Sequence, residues 1–246
     1  MRVLLGSGGF RGEDRRTALR QAMRDHFGEI RRLLFVPYAL ADGDAYIDAM
    51  NRAELNAGYE LHGLHKEGDP IQAIEECEGI YVGGGNTFRL IDRMHREGLL
   101  EVIRRRVAAG LPYMGVSAGT NVACPTMQTT NDMPIVRPDS FEALGLVPIQ
   151  VNTHYYEGQI HVRHDGGEYE EHYGETRDDR IREFHEENTT PVLGLWESGL
   201  IRREGAELTL LRGPVRVFRQ GQPPQDLEEG ADLSGFLCGD PPVCES

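Results

Sequence analysis

The sequence predicts an α/β protein: a mostly parallel sheet flanked by helices on both faces, with a short antiparallel extension. Three observations predict it. Short apolar runs alternate with helical patterns through the first half, the mark of strand–helix–strand units. Those runs are continuous rather than alternating with polar residues, as in strands buried on both sides. In the second half short strands follow one another with only turn residues between them, which fits antiparallel pairing at a sheet edge.

Each element follows in order. Val3-Leu4-Leu5 reads as the first strand and Asp14 to Phe27 as a helix. Leu33 to Pro37 is a strand, Asp44 to Asn56 a helix, Tyr59 to Leu64 a strand and Pro70 to Glu76 a helix. Gly79 to Val82 is a strand, followed by helices over Asn86 to Glu97 and Leu99 to Ala109. Leu111 to Met114 is the next strand. The later strands are Val192 to Trp196, Leu200-Ile201, Leu208 to Leu211 and Val215 to Phe218, taken together as the antiparallel extension. No internal repeat is present. Residues 1–218 are expected to form one domain; residues 219–246, rich in Pro, Gly, Asp and Glu, are expected to be a poorly ordered tail.

Composition bounds the function. The chain has 246 residues, 39% hydrophobic and 27% charged, as soluble globular proteins do. No apolar run approaches the ~20 residues of a membrane helix. Met1 to Gly6 reads as a strand rather than a signal peptide, so a cytoplasmic location is the default expectation. The net charge of −14 argues against nucleic acid and anionic membranes as partners, and means that an acidic substrate needs a local cation to hold it. A homodimer is compatible with the sequence. Cys77 and Cys124 sit in apolar contexts as small hydrophobes. Cys238 and Cys244 match no zinc spacing and are expected to be free thiols in a reducing compartment, with a local disulfide as the oxidised alternative.

Chemistry concentrates at Gly115-Val116-Ser117-Ala118-Gly119. A G-x-S-x-G run between a strand and a helix is the context of a nucleophile elbow. The turn is too tight for a Cβ at the flanking glycines, and the following helix start offers free N–H groups to an oxyanion. A serine hydroxyl needs a base, and the base needs an acid to orient it. Of nine histidines, His26, His62, His65 and His95 lie in ordinary helical or strand contexts. His154 follows the apolar run Val147 to Val151, where the active edge of an open sheet lies, and is the candidate base. Glu197, just past Val192 to Trp196, and Asp132, in the loop after the elbow, compete as the orienting acid; strand-end position favours Glu197. Val82-Gly83-Gly84-Gly85-Asn86-Thr87-Phe88 is the candidate second oxyanion turn, with Asn86 or Thr87 capping the helix behind it. His161, His164, His172 and His185 lie among Asp165, Glu168, Glu170 and Glu171, but Gly166 and Gly167 interrupt any helical pairing, so no metal site is assigned.

Several motifs occur together in a known order: Gly83 to Phe88, Gly115 to Gly119, Cys124-Pro125-Thr126, Thr129 to Val136, Asn152-Thr153-His154 and Gly174-Glu175-Thr176-Arg177. Over roughly Met1 to Phe218 the chain resembles the peptidase E family of aspartyl dipeptidases. The resemblance implies a class I glutamine amidotransferase-like fold with serine in place of cysteine, and hydrolysis of Asp-X dipeptides with a free amino terminus. It implies Ser117 as nucleophile, His154 as base and Glu197 as third triad member. Gly85 and Ala118 become the backbone oxyanion donors. Arg177 becomes the cation for the aspartyl carboxylate, for which a planar guanidinium is well suited. It places Asn86 and Asp132 beside the substrate, the latter with no assigned role, and calls for no cofactor or metal. Two departures stand out: the segment between His154 and Arg177 is long and rich in His, Tyr and Glu, a candidate lid, and Thr153 stands where the family often has Pro.

Two other readings compete. A cyanophycinase-like serine peptidase acting on β-aspartyl linkages would use the same catalytic residues with another pocket. Gly6-Ser7-Gly8-Gly9 after the first strand resembles part of a dinucleotide fingerprint, which would make the chain a nucleotide-binding or sensing module. That fingerprint is incomplete, since the third glycine is displaced to Gly12 and no acid ends the second strand. An α/β-hydrolase needs a late histidine, and none follows His185.

Overall fold

A computed structural model describes residues 1–163 and 166–238. The first half alternates as its sequence requires: β1 (Arg2–Gly6), α1 (Glu13–Phe27), β2 (Arg32–Val36), α2 (Gly43–Arg52), β3 (Glu60–Gly63), α3 (Pro70–Glu76), β4 (Ile80–Val82), α4 (Thr87–Arg96), α5 (Leu99–Ala108), β5 (Tyr113–Val116) and α6 (Ala118–Asn121). The second half holds β6 (Gln150–Tyr155), β7 (His161–Arg163), β8 (Tyr169–Glu171), α7 (Arg177–Glu187), β9 (Val192–Trp196), β10 (Leu200–Glu204), β11 (Glu207–Arg212), β12 (Val215–Phe218) and β13 (Gln225–Leu227).

The large sheet runs β11-β10-β1-β5-β4-β2-β3. Its five members from β1 to β3 are mutually parallel, while β10 and β11 extend it antiparallel beyond β1. Successive strand residues serve opposite faces. Val3, Leu5, Leu34, Val36, Ile80 and Val82 pack with α3, α4 and α5, whereas Leu4, Leu33, Phe35, Tyr81 and Met114 pack with α1 and α2. Burying each such side chain is worth about 1.5–3 kcal/mol, which is why the run can carry no polar residue on either face. Local signals set the helix starts. Asp42 and Asp69 accept hydrogen bonds from the first-turn N–H groups of α2 and α3, and Thr176 with Asp179 makes a reciprocal capping box on α7.

The structure departs from expectation in four places. Val192–Trp196 and Val215–Phe218 do not belong to the edge extension; they build a second sheet, β13-β12-β9-β6, in which β9 runs parallel to β6. The helix after Ser117 is a single turn. The segment after His154 contains an exposed two-stranded hairpin, β7–β8. The chain after Arg219 stays in the fold as far as it is described: β13 pairs with β12, and Leu233 and Phe236 are buried in the main core. The apolar pair Leu233 and Phe236, at helical spacing inside an acidic stretch, supplies the anchor that composition averages away. His164, Asp165, the Cys238 side chain and Cys244 lie outside what is described. Of the other cysteines, Cys124 is buried and Cys77 half-buried, and burial holds both thiols up, to about 12 and about 11. No described helix is long and apolar enough to cross a membrane.

Candidate active site

The parallel strands β1 and β5 deliver the turns that build the site. Ser117 occupies the step from β5 into α6 with φ 55° and ψ −112°, a region that costs of order 1–3 kcal/mol and persists only when neighbours enforce it. They do. The Ser117 N–H donates to Gly6 O at 2.9 Å, and the Ser117 carbonyl accepts from Thr120 N and Asn121 N at 2.9 and 3.0 Å. The flanking glycines are obligatory by contact: a Cβ on Gly115 would lie 2.2 Å from Gly119 O, and one on Gly119 would lie 2.1 Å from Val82 O. Because α6 is one turn long, its dipole is small; what it offers is the Ala118 N–H, which has no acceptor among the described residues. Gly84 faces Ser117 from the turn after β4, and the Gly85 N–H beside it is likewise without an acceptor.

His154 arrives from the second sheet. The β6–β9 register shifts between Thr153 and Tyr155, so His154 is the extra residue of a bulge, at φ 54°. A bulge re-aims one side chain out of the strand's alternation. Here it brings His154 Nε2 to 2.9 Å from Ser117 Oγ, while Nδ1 lies 2.8 Å from Glu197 Oε1. Glu197 leaves the end of β9 in a turn closed by Gly199 N–H on Trp196 O at 2.9 Å. The Nδ1–H donates to the carboxylate, leaving Nε2 as the acceptor for the serine hydroxyl. The line is open to solvent, with the His154 and Glu197 side chains 39% and 45% exposed.

Gly6-Ser7-Gly8-Gly9 closes the other side of this line. A Cβ on Gly8 would sit 2.6 Å from His154 Cε1, and one on Gly9 would sit 1.6 Å from Glu197 Oε2. The glycines that resembled a phosphate cradle are bare because an imidazole and a carboxylate fill the space above them. The nucleotide-binding expectation fails at that point. Sequence reasoning missed this role; the available signal was a glycine cluster at the end of the strand adjacent to the serine's own.

The remaining candidates divide. Arg177, the first residue of α7, sits half-buried, a cation at a helix N-terminus where the dipole opposes it. Its guanidinium donates to Asn131 Oδ1 and lies 5.1 Å above the Tyr156 ring, and Nε is buried with no partner. It makes no ion pair among the described residues. Burial pulls its pKa below the usual arginine value. Asn131 also binds Thr153 O and Asn152 Nδ2 at 3.0 and 3.1 Å, tying the guanidinium to the strand that carries His154. Asp132 is a clamp: Oδ2 accepts from Thr87 N and Thr87 Oγ1 at 2.7 and 2.6 Å, at the start of α4. Asn86 caps the same helix through Arg89 N at 3.1 Å and donates to Met133 O at 2.9 Å. Its side chain therefore holds two loops together. Asn131 lay within the quoted motif Thr129 to Val136 without a role of its own, and Tyr156, two residues past His154, was not singled out. Among the described residues no group of histidines, cysteines and acids is arranged for a metal, and buried His185 binds Thr190 O at 3.0 Å.

A serine from the parallel sheet, joined in one hydrogen-bonded line to a histidine and a glutamate from the second sheet, is the arrangement of a serine hydrolase. The comparisons narrow the class. The family model described as "Peptidase family S51" matches residues 3–211, and the chain belongs to that peptidase family. It is 50% identical to Peptidase E of Streptomyces coelicolor over 208 residues, covering 84% of this chain and 82% of the other. It is 40% identical over 239 residues, 96% of each chain, to a Drosophila melanogaster protein named "Probable alpha-aspartyl dipeptidase". A crystal structure titled as a "Putative Peptidase E Protein" from Listeria monocytogenes shares the fold, with TM-score 0.62, 21% identity, and 89% of this chain and 98% of that one covered.

Proposed function

We propose that the protein hydrolyses Asp-X dipeptides through an acyl-enzyme on Ser117. The observation that carries the reading is the line from Ser117 through His154 to Glu197, joined to a half-buried Arg177 that makes no ion pair among the described residues. His154 Nε2 takes the Ser117 proton as Oγ attacks the peptide carbonyl carbon. The oxyanion is received by the Gly85 and Ala118 N–H groups, which makes the β5–α6 turn a nucleophile elbow. Glu197 holds the imidazole's tautomer and stabilises its cation. The imidazolium gives its proton to the leaving nitrogen as the C–N bond breaks. Water, deprotonated by His154, then attacks the ester carbon, and Ser117 leaves with the proton restored.

Arg177 supplies selection. Its buried Nε and its helix-start position destabilise the unpaired cation, so a substrate carboxylate gains more there than at an exposed arginine. That grip opposes a net charge of −14, which otherwise repels acidic dipeptides. Asp132 and Asn86 act by holding the loop of Asn131 and Met133 against α4.

The experiment is a dipeptide panel scored by released amino acid: α-linked Asp-X, β-linked Asp-X, Glu-X and neutral X-X. Turnover is expected for α-linked Asp-X and abolished in Ser117→Ala. Preference for β-linked substrates would transfer the assignment to a β-aspartyl peptidase, and equal turnover of neutral dipeptides would remove Arg177 from the selection role.

A further inference from the structure

We propose that Ser7 is a positioning residue for the catalytic histidine, and that the turn Gly6 to Gly9 is the template that sets His154 against Glu197. The proposal rests on the triad reading above and adds a residue to it.

Ser7 is fully buried, so its hydroxyl contacts no solvent and no substrate. Its Oγ accepts from the His154 N–H at 2.8 Å and donates to Leu195 O at 2.9 Å. One hydroxyl can do both, since it has one proton and two lone pairs. The two partners are not arbitrary. His154 is the bulged residue of β6, at a positive φ that a histidine holds only under constraint. Leu195 lies two residues before Glu197 on β9. Ser7 therefore pins the backbone of the base and the strand of the acid to one oxygen.

The rest of the turn completes the template. Ser7 N donates to Gly199 O at 3.0 Å and Ser198 N donates to Gly8 O at 2.7 Å, bracketing Glu197 from the far side. Gly8 and Gly9 leave room for the ring and the carboxylate. The His154 N–H has no second acceptor among the described residues, so removing the hydroxyl frees the bulge to relax. A ring displaced by a fraction of an ångström loses its alignment with Ser117 Oγ, and misplacement on the scale of 1 Å costs about 10²-fold in rate. Arg177 is linked to this strand only indirectly, through Asn131 and Thr153 O, so the larger effect falls on the catalytic step rather than on substrate binding.

The test compares wild type, Ser7→Ala, Ser7→Cys and Ser117→Ala on an α-linked Asp-X dipeptide, with thermal unfolding as a fold check. Labelling of Ser117 by a serine-directed phosphonate is followed in parallel. Ser7→Ala is expected to lower kcat about 10- to 100-fold with KM changed less than about twofold, and to slow phosphonylation in proportion. Ser7→Cys, whose sulfur is a weak acceptor in a somewhat larger side chain, is expected to fall between Ala and wild type. Wild-type kcat in Ser7→Ala, or a change in KM alone, overturns the proposal. If Ser7→Ala does not fold, Ser7→Cys decides: lowered kcat at constant KM supports the role, and wild-type kcat overturns it. Turnover surviving in Ser117→Ala overturns the triad reading and this proposal with it. An inactive Ser117→Ala beside fully active Ser7 variants overturns the positioning role alone.

Discussion

The two halves of the site are built to different tolerances. Around Ser117 and His154 every strained backbone angle is enforced by crossing bonds from β1, β5, β6 and β9, and four glycines are fixed by contact. Around Arg177 the guanidinium rests on one side chain, Asn131, and one ring, Tyr156. On the proposed reading, geometry is over-determined where the bond would break and more loosely held where the substrate would be chosen. The difference teaches that chemistry and selection in this protein can be damaged separately.

Four changes break or sharpen that contrast. The largest effect belongs to the nucleophile: Ser117→Ala is expected to lower kcat by about four to six orders of magnitude while the thermal midpoint stays within a few degrees. Next comes the floor under Glu197. Gly9→Ala puts a Cβ 1.6 Å from Glu197 Oε2 at φ 68°, and kcat should fall about 10²- to 10³-fold. Gly12→Ala is the control, since φ is 87° and ψ 153° but nothing lies within 4 Å; it should cost about 1–3 kcal/mol of stability and little rate. On the selection side, Arg177→Ala should lower kcat/KM for Asp-X about 10²-fold and leave neutral dipeptides nearly unchanged, collapsing the preference measured in the panel.

A separate effect, on stability rather than rate, is a pH dependence set by a buried histidine outside the triad. His26 is buried under Arg2 with Nε2 on Tyr113 O at 3.0 Å, and burial pulls its pKa down to about 3. The folded value lies below the unfolded one, so the fold excludes a proton that the unfolded chain binds. Stability is therefore full above about pH 6.5 and falls by about 1.4 kcal/mol per unit as the pH drops from there toward 3. Urea unfolding of wild type and His26→Gln at pH 7, 6, 5 and 4 checks it: the variant should lose that slope.

The sequence carried the parallel half of the fold because each strand there is a continuous apolar run bounded by a helix cap. It carried less of the second half. β9 and β12 look like members of an antiparallel edge, and only the tertiary pairing of β9 with β6 puts them in a separate sheet. Ser117 announces itself through Gly115 and Gly119, whose absent side chains are a local necessity. From the residues themselves His154 and Glu197 were legible as strand-end residues, and the family resemblance gave them their roles; the bulge that aims His154 leaves no mark in composition. Gly8 and Gly9 were visible as glycines but attached to the wrong partner: a bare backbone says that something approaches closely, not what. The anchor formed by Leu233 and Phe236 was hidden by the acidic residues around it.

The account turns on a single proton transfer from Ser117 to His154. Its most direct test is the site of labelling by a serine-directed phosphonate, read by peptide mass spectrometry in wild type and in His154→Ala. The account predicts one adduct, on Ser117, formed rapidly in wild type and slowed by at least about 10³-fold in the variant. An adduct on another serine, or one on Ser117 that forms equally fast without His154, would contradict it.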